Sequence, residues 1–406
     1  MRLPVLSLGF AALLSVSATP ALARTARGKA KDSAPRKPPA DVVEIIKVAP
    51  IRAKAGAGPE RGTAALGARF AVTARRQAGG CRGDWLAIGE RAWICSRFTK
   101  DSDARPSGRV LPDVPKGQLL PASTYVLTHH PHLYKELADI DAARPTRFWG
   151  KHAFELLGRI ERGGTAYVQV SIGYIPTAET EVATPSDVSG VPIHDAKDLP
   201  FVFAHLHEGA PLLDETGAPT GKTMQRWGRA DLLGEVTLQK TPYFRIRTGG
   251  HERLVAQTAV RKVGLATPPK GVKPDEKWVD VDLPHQVLVA YEGTRPVMAT
   301  LVSTANRSTP DGTFRIYKKR ANTPLRSRPN AIGKYWMEVP WVMTIFGSIA
   351  IHPSYWHDEF GTTASHGCVN MTPADARWLW SWSDPQLPPG WASIDQTPGT
   401  LVRIRR

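Results

Sequence analysis

The chain has 406 residues, of which 42% are hydrophobic and 22% charged, and it carries a net charge of +16. Such a composition can bury a sizeable core and excludes a wholly disordered or collagen-like protein, while three cysteines are too few for a disulfide-dense scaffold or an all-cysteine zinc array. The excess of cations points to a polyanionic partner: nucleic acid, anionic lipid or an acidic wall polymer.

The first residues narrow that choice. Arg2 precedes an apolar run from Leu3 to Ala18, and Ala21-Leu22-Ala23 has the small-x-small spacing that signal peptidase reads. Residues 1–23 are therefore expected to be a removed signal peptide, the alternative being a retained N-terminal anchor. No other stretch is long enough to span a bilayer, so no transmembrane segment is expected after removal. No cysteine follows the run, which argues against a lipoprotein anchor. Export to the periplasm or cell envelope disfavours nucleic acid as the partner and favours an anionic cell-wall polymer. Residues 24–47 read as a basic, disordered tether, because over 24–40 Arg24, Arg27, Lys29, Lys31, Arg36 and Lys37 face one acid, Asp32.

From 48 to 100 the pattern turns to short β runs: Phe70–Arg75, Asp84–Ile88 and Arg91–Cys95, the last two joined at Gly89-Glu90. This segment, ending in "WLAIGERAWICS", resembles a bacterial SH3-like module, a small β-barrel often appended to wall enzymes. Cys81 and Cys95 flank its last two strands, and in an oxidising compartment a disulfide is expected rather than a metal site; two separate buried thiols are the alternative. Residues 118–270 carry further runs, at Tyr125–Thr128, Thr165–Val170, Phe201–Ala204, Gly234–Leu238 and Tyr243–Arg247. Two more SH3-like barrels, over 118–196 and 198–270, would fit. His129, His130 and His132, and His205, His207 and Glu208, are candidate metal ligands with no third partner at useful spacing, so solvated loop or strand positions are expected for them. The Pro- and Lys-rich segment 266–277 reads as a linker.

The C-terminal part reads as a separate, mostly β domain. Trp278–Leu283 alternates strictly, Gln286–Tyr291 and Val297–Val302 form a hairpin about Glu292-Gly293, and Thr309-Pro-Asp-Gly312 turns into a strand at Phe314–Tyr317. One helix is predicted after Thr372, with Pro373 in its first position and Ala376, Leu379 and Trp380 on one face.

The chemistry concentrates at 351–370. Cys368 is the cysteine left over after the proposed pairing, and three histidines, His352, His357 and His366, precede it. A thiolate nucleophile needs a base or cation beside it and N–H donors for the oxyanion formed on attack. Gly367 lets the backbone approach a substrate, so the amides of Gly367 and Cys368 are natural donors. On residue types alone, a zinc site built from His352, His357, His366 and Cys368, or a structural cysteine among satisfied histidines, stays open.

The motif "SHGCVN" at 365–370, preceded by "IAIH" at 349–352, resembles the signature of the L,D-transpeptidase (YkuD-like) catalytic domain, and the likeness runs over 278–405 through "VDVDLPHQVLVAYEG", "LVSTA", "TPDGTFRIYKK", "VPWVM" and "PADARWLW". The resemblance implies a β-sandwich that presents a cysteine beside a histidine on an adjacent strand. It implies that Cys368 attacks the carbonyl between the diamino acid and the terminal D-alanine of a peptidoglycan stem peptide, forming a thioester that an amine then resolves into a cross-link. His352 becomes the general base or imidazolium partner, and the Gly367 and Cys368 N–H groups the oxyanion hole. Ser365, His366 and Asn370 shape the pocket, with no cofactor or metal expected. Only twelve residues separate His352 from Ser365, so a trimmed lid is expected, and the Pro353 carbonyl remains able to orient His352. Tyr335, Trp336, Trp341, Tyr355 and Trp356 are candidates for the lid or substrate groove. A carboxypeptidase passing the thioester to water, and a wall-binding scaffold without activity, are the rival readings. The domain is expected to be self-contained, so a fragment starting near Gly271 should fold alone.

Overall fold

The computed structural model describes residues 41–108, 110–327, 334–396 and 398–406. The expected signal peptide and most of the expected tether therefore lie outside the described residues. The last part of that tether is ordered: Val42–Ile45 is the central strand of a three-stranded sheet with Arg69–Ala71 and Thr99–Asp101. Val43 and Ile45 are buried there, because alternation puts both on the inner face.

Eight strands position the site, labelled here in chain order: β1 (Glu60–Ala64), β2 (Tyr125–His129), β3 (Lys151–Glu155), β4 (Lys318–Arg326), β5 (Tyr335–Phe346), β6 (Ile349–Pro353), β7 (Val369–Met371) and β8 (Trp391–Asp395). β5 is the longest, with Val339, Val342, Thr344 and Ile345 favouring extended backbone. It pairs with β4, with β6 and, in parallel, with β3. β6 in turn runs parallel to β7. A second sheet has the order Val191–Pro192, Arg295–Leu301, Val287–Glu292, Lys277–Asp282, Leu401–Arg405, Gly312–Arg315. Val279, Val281, Leu288 and Ala290 of this sheet share one apolar core with Met343, Ile351 and Val369 of the first, giving the C-terminal part its β-sandwich.

The sheets and the core cross the module boundaries expected from sequence. β8 sits between β4 and β1, and β1 continues the sheet through Ala49–Arg52, Ala92–Cys95 and Trp85–Gly89 to Ala74–Arg76. On the other side β3 connects β5 to β2. The same core holds Ile51, Phe70 and Ile94 beside Trp341 and Trp380. The separate SH3-like barrels expected over 48–270 are not resolved as such. Residues 201–263 form a seven-stranded sheet running from an edge at Pro219–Met224 to an edge at Val260–Val263. Backbone hydrogen bonding explains the continuity: β1 and β3 offer their ladders to the catalytic strands instead of closing on their own modules.

The predicted helix spans Pro373–Trp382, and the Thr372 hydroxyl accepts the Asp375 N–H at 3.2 Å. Its far end is satisfied from β4. Lys319, fully buried, donates Nζ to the carbonyls of Trp380 at 2.7 Å and Ser383 at 2.5 Å, and burial pulls its pKa down to about 7. Among the described residues no helix is long and apolar enough to cross a membrane.

Candidate active site

The register of β6 and β7 sets the geometry. Ile351 pairs with Val369 and His352 with Asn370, so strand alternation sends Ile351 and Val369 to the core and His352 and Asn370 to the opposite face. Cys368, one residue before β7, lies on that opposite face with Ala350. Cys368, His352 and Asn370 all line one cleft of about 1840 Å³.

His352 is buried, and its Nδ1 lies 2.9 Å from the Pro353 carbonyl oxygen. A carbonyl only accepts, so Nδ1 carries the proton and Nε2 keeps its lone pair. Burial lowers the pKa of this imidazole to about 4. Burial also pushes the Cys368 thiol up from its ordinary value, partly offset by the Ala350 N–H that faces the sulfur. Desolvation thus disfavours both the thiolate and the imidazolium, which suits the first of the two roles expected for His352, general base or imidazolium partner.

The turn before Cys368 is held by hydroxyls. The Gly367 N–H donates to Ser365 Oγ at 2.9 Å, and Ser365 donates to the Cys368 carbonyl at 2.7 Å. Thr309 Oγ1, fully buried, donates to the Gly367 carbonyl at 2.9 Å and accepts the Ala305 N–H at 2.9 Å. The Gly367 amide, expected as an oxyanion donor, is thus already engaged. What favours glycine here is its φ of +147°; a Cβ would also press on the tip of the Ile349 side chain, 2.8 Å away.

Asn370 and His357 meet at 2.9 Å. The atom of Asn370 at that distance from His357 Nε2 is the amide nitrogen Nδ2. Because His357 Nδ1 accepts the Glu359 N–H at 3.1 Å, Nε2 holds the ring proton, and exchanging the amide nitrogen and oxygen of Asn370 lets the ring donate to it. Among the described residues the ligand atoms of His352, His357, His366 and Cys368 are not gathered into a cluster that could hold a metal ion. His366 is exposed and stacks on Tyr335 with ring centroids 5.1 Å apart. Trp356 lies 6.0 Å from the His352 ring, and Tyr335, Trp356, His366 and Ser365 all line the cleft.

Three expected groove residues do not line it. Trp341 is buried in the main core, with a φ of +54°. Tyr355 is buried against Tyr125 at 4.3 Å and donates its hydroxyl to the Glu338 carbonyl at 2.7 Å. Trp336 packs on Phe148, 6.4 Å between centroids, in the smaller core of residues 126–175. Spacing alone does not tell a groove aromatic from a core one. Conversely, sequence reasoning missed the wall of the cleft contributed from far upstream: Leu127–His130, Trp149–His152 and Ala178–Glu181. It also passed over Thr309, read only as part of a turn, whose small hydroxyl after "NRS" was the available signal.

The remaining expected groups are placed as follows. Cys81 and Cys95 form a disulfide, and Cys368 is free. His132 Nδ1 lies 2.7 Å from Glu179, and His205 is buried with Nε2 against the Thr258 carbonyl at 3.1 Å. His207 does meet acids, Asp358 and Glu359, from a part of the chain too distant for spacing to reveal. Arg226, 2.7 Å from Asp358, already supplies a cation there.

Residues 276–404 match the model of the YkuD family, the L,D-transpeptidase catalytic domain. The chain is 27% identical over 143 residues to a putative L,D-transpeptidase, YciB, of Bacillus subtilis, covering 31% of this chain and 73% of that protein. Among solved structures it is similar to an L,D-transpeptidase of Enterococcus faecium (23% identity, 36% of this chain, TM-score 0.27) and one of Xylanimonas cellulosilytica (27%, 34%, 0.25). It spans about half, 55%, of the former's chain and 63% of the latter's. Residues 276–404 are a YkuD-like L,D-transpeptidase catalytic domain.

Proposed function

We propose that the protein is an exported peptidoglycan L,D-transpeptidase in which Cys368 is the nucleophile and His352 the general base. The observation that carries this reading is the His352 Nδ1–H···O=C bond to Pro353, which leaves a basic Nε2 on the same face of adjacent strands as the thiol of Cys368. Nε2 takes the thiol proton as sulfur attacks the carbonyl preceding the terminal D-alanine. The tetrahedral oxyanion forms beside the Cys368 N–H, and its collapse expels D-alanine, whose amine receives the proton from His352. An acceptor amine, deprotonated by His352, then attacks the thioester and releases Cys368, giving a cross-link between stems or an attached amine. Ser365, Thr309 and Gly367 hold the turn that fixes the sulfur, and Asn370 with His357 braces the floor beside it.

Transfer rather than hydrolysis is supported by the size of the cleft. Ligand pockets usually measure ~300–1,000 Å³, so a cleft of about 1840 Å³ has room for an acyl donor and an acceptor chain together. The envelope placement rests on the N-terminal residues, and the surplus positive charge suits an anionic cell-wall polymer around the substrate. Incubation with defined tetrapeptide muropeptides, read by mass, tests the proposal. Dimers with loss of D-alanine are expected; tripeptide alone would assign the protein as a carboxypeptidase, and unchanged substrate would leave the scaffold reading.

A further inference from the structure

The cleft contains a cation that the chemistry above does not use. On β4 the odd residues Lys319 and Ala321 are buried in the core, and the even ones, Lys318 and Arg320, line the cleft. Lys318 is engaged with Asp395 at 2.9 Å. Arg320 is half-buried and meets no carboxylate within 4.0 Å among the described residues; its hydrogen bond there is Nη1 to Thr344 Oγ1 at 3.4 Å. A half-buried guanidinium carries five N–H donors in a fixed fork suited to a carboxylate.

Its place in the sheet relates it to the nucleophile. Arg320 pairs with Val342, and the register of β5 with β6, Met343 to Ile351, puts Val342 beside His352. Arg320, Val342, His352 and Asn370 therefore form one row across four strands on the cleft face. Two strand spacings separate Arg320 from His352, about 10 Å at ~4.8 Å each. Fully extended toward the site, the guanidinium would hold an anion set back from the attacked carbonyl by a few bonds, the reach of a side chain or of one preceding residue.

We infer that Arg320 is a specificity-determining residue that binds a free carboxylate of the acyl donor, on either the side chain of the residue being attacked or the residue before it. This inference rests on the transpeptidase reading of the same cleft. Thr344 orients the fork, and Lys318 contributes only background potential because Asp395 holds it.

The test uses the full chain and three tetrapeptide donors: one with both carboxylates free, one amidated on the side chain of the third residue, and one amidated at the second. Wild-type protein is expected to prefer the fully free donor over one of the two amides by ~10–100-fold, the range for losing a charge-assisted hydrogen bond, chiefly through KM. The amide that suffers identifies the source of the carboxylate. In Arg320→Gln the preference should disappear, and Arg320→Lys should restore part of it. Equal use of all three donors by wild type, or an undiminished preference in Arg320→Gln, overturns the inference. Acylation of Cys368 by a carbapenem in the same preparations separates the two levels. Adduct without carboxylate preference refutes Arg320 alone, whereas neither adduct nor turnover in wild type refutes the transpeptidase reading on which it stands.

Discussion

The resting charge state of Cys368 and His352 yields a prediction that depends on the structure in detail. Burial pushes the Cys368 thiol up, so its thiolate fraction at pH 7 lies below the ~3% of a free cysteine at a pKa of about 8.5. A small alkylating agent that cannot use His352 should therefore react more slowly than with a free thiol at pH 7, and its rate should rise about tenfold per pH unit through pH 9. A carbapenem held in the cleft is attacked with the proton passing to Nε2. Its acylation rate should be nearly flat from about pH 5 to 8, because His352 is a free base above a pKa of about 4. His352→Ala should lower carbapenem acylation by ~10²–10⁴, the usual worth of a positioned base, and leave alkylation almost unchanged. Cys368→Ala should take up neither reagent. Intact-protein mass spectrometry over a pH series measures both rates. A plateau of alkylation between pH 6 and 8 in the wild type, abolished in His352→Ala, would show a preformed thiolate–imidazolium pair and refute the general-base account.

Three further outcomes follow from the same geometry. Alkylation in denaturant without reductant should count one thiol per chain, because Cys81 and Cys95 are joined; a count of three removes the disulfide, worth ~3 kcal/mol for a loop of this length. Gly367→Ala should cut carbapenem acylation at least tenfold, since its Cβ would stand 2.8 Å from Ile349 Cδ1 at a φ of +147°; wild-type kinetics would show that the turn tolerates a side chain. A fragment from Gly271 loses β1 from beside β8 and β3 from beside β5, partly uncovering Met337, Trp391 and Ile394. At ~1.5–3 kcal/mol per fully exposed side chain, a loss of several kcal/mol is expected, seen as a lower or absent thermal transition; a fragment as stable as the whole chain would show the C-terminal part self-sufficient.

What the sequence determined was local. Alternation placed the strands at Trp278–Leu283, Gln286–Tyr291 and Thr165–Val170 within a residue or so, and Thr372-Pro373 announced the helix through its cap. The residue types around Cys368 left nucleophile, zinc site and structural cysteine open, and the motif's resemblance to a known family pointed to the chemistry proposed. The tertiary structure decided the rest. Whether a tryptophan lines a cleft or fills a core depends on the side of the sheet it meets, so Trp356 and Trp341 could not be told apart by type or spacing. Whether His352 is charged depends on desolvation by residues far along the chain, and whether the Gly367 amide is free depends on the rotamer of Ser365. The sheet itself was the largest surprise for a modular reading. Backbone N–H and C=O groups are the same in every strand, so no residue in β1 or β3 announces that its partner lies in the catalytic domain, some 330 and 185 residues away.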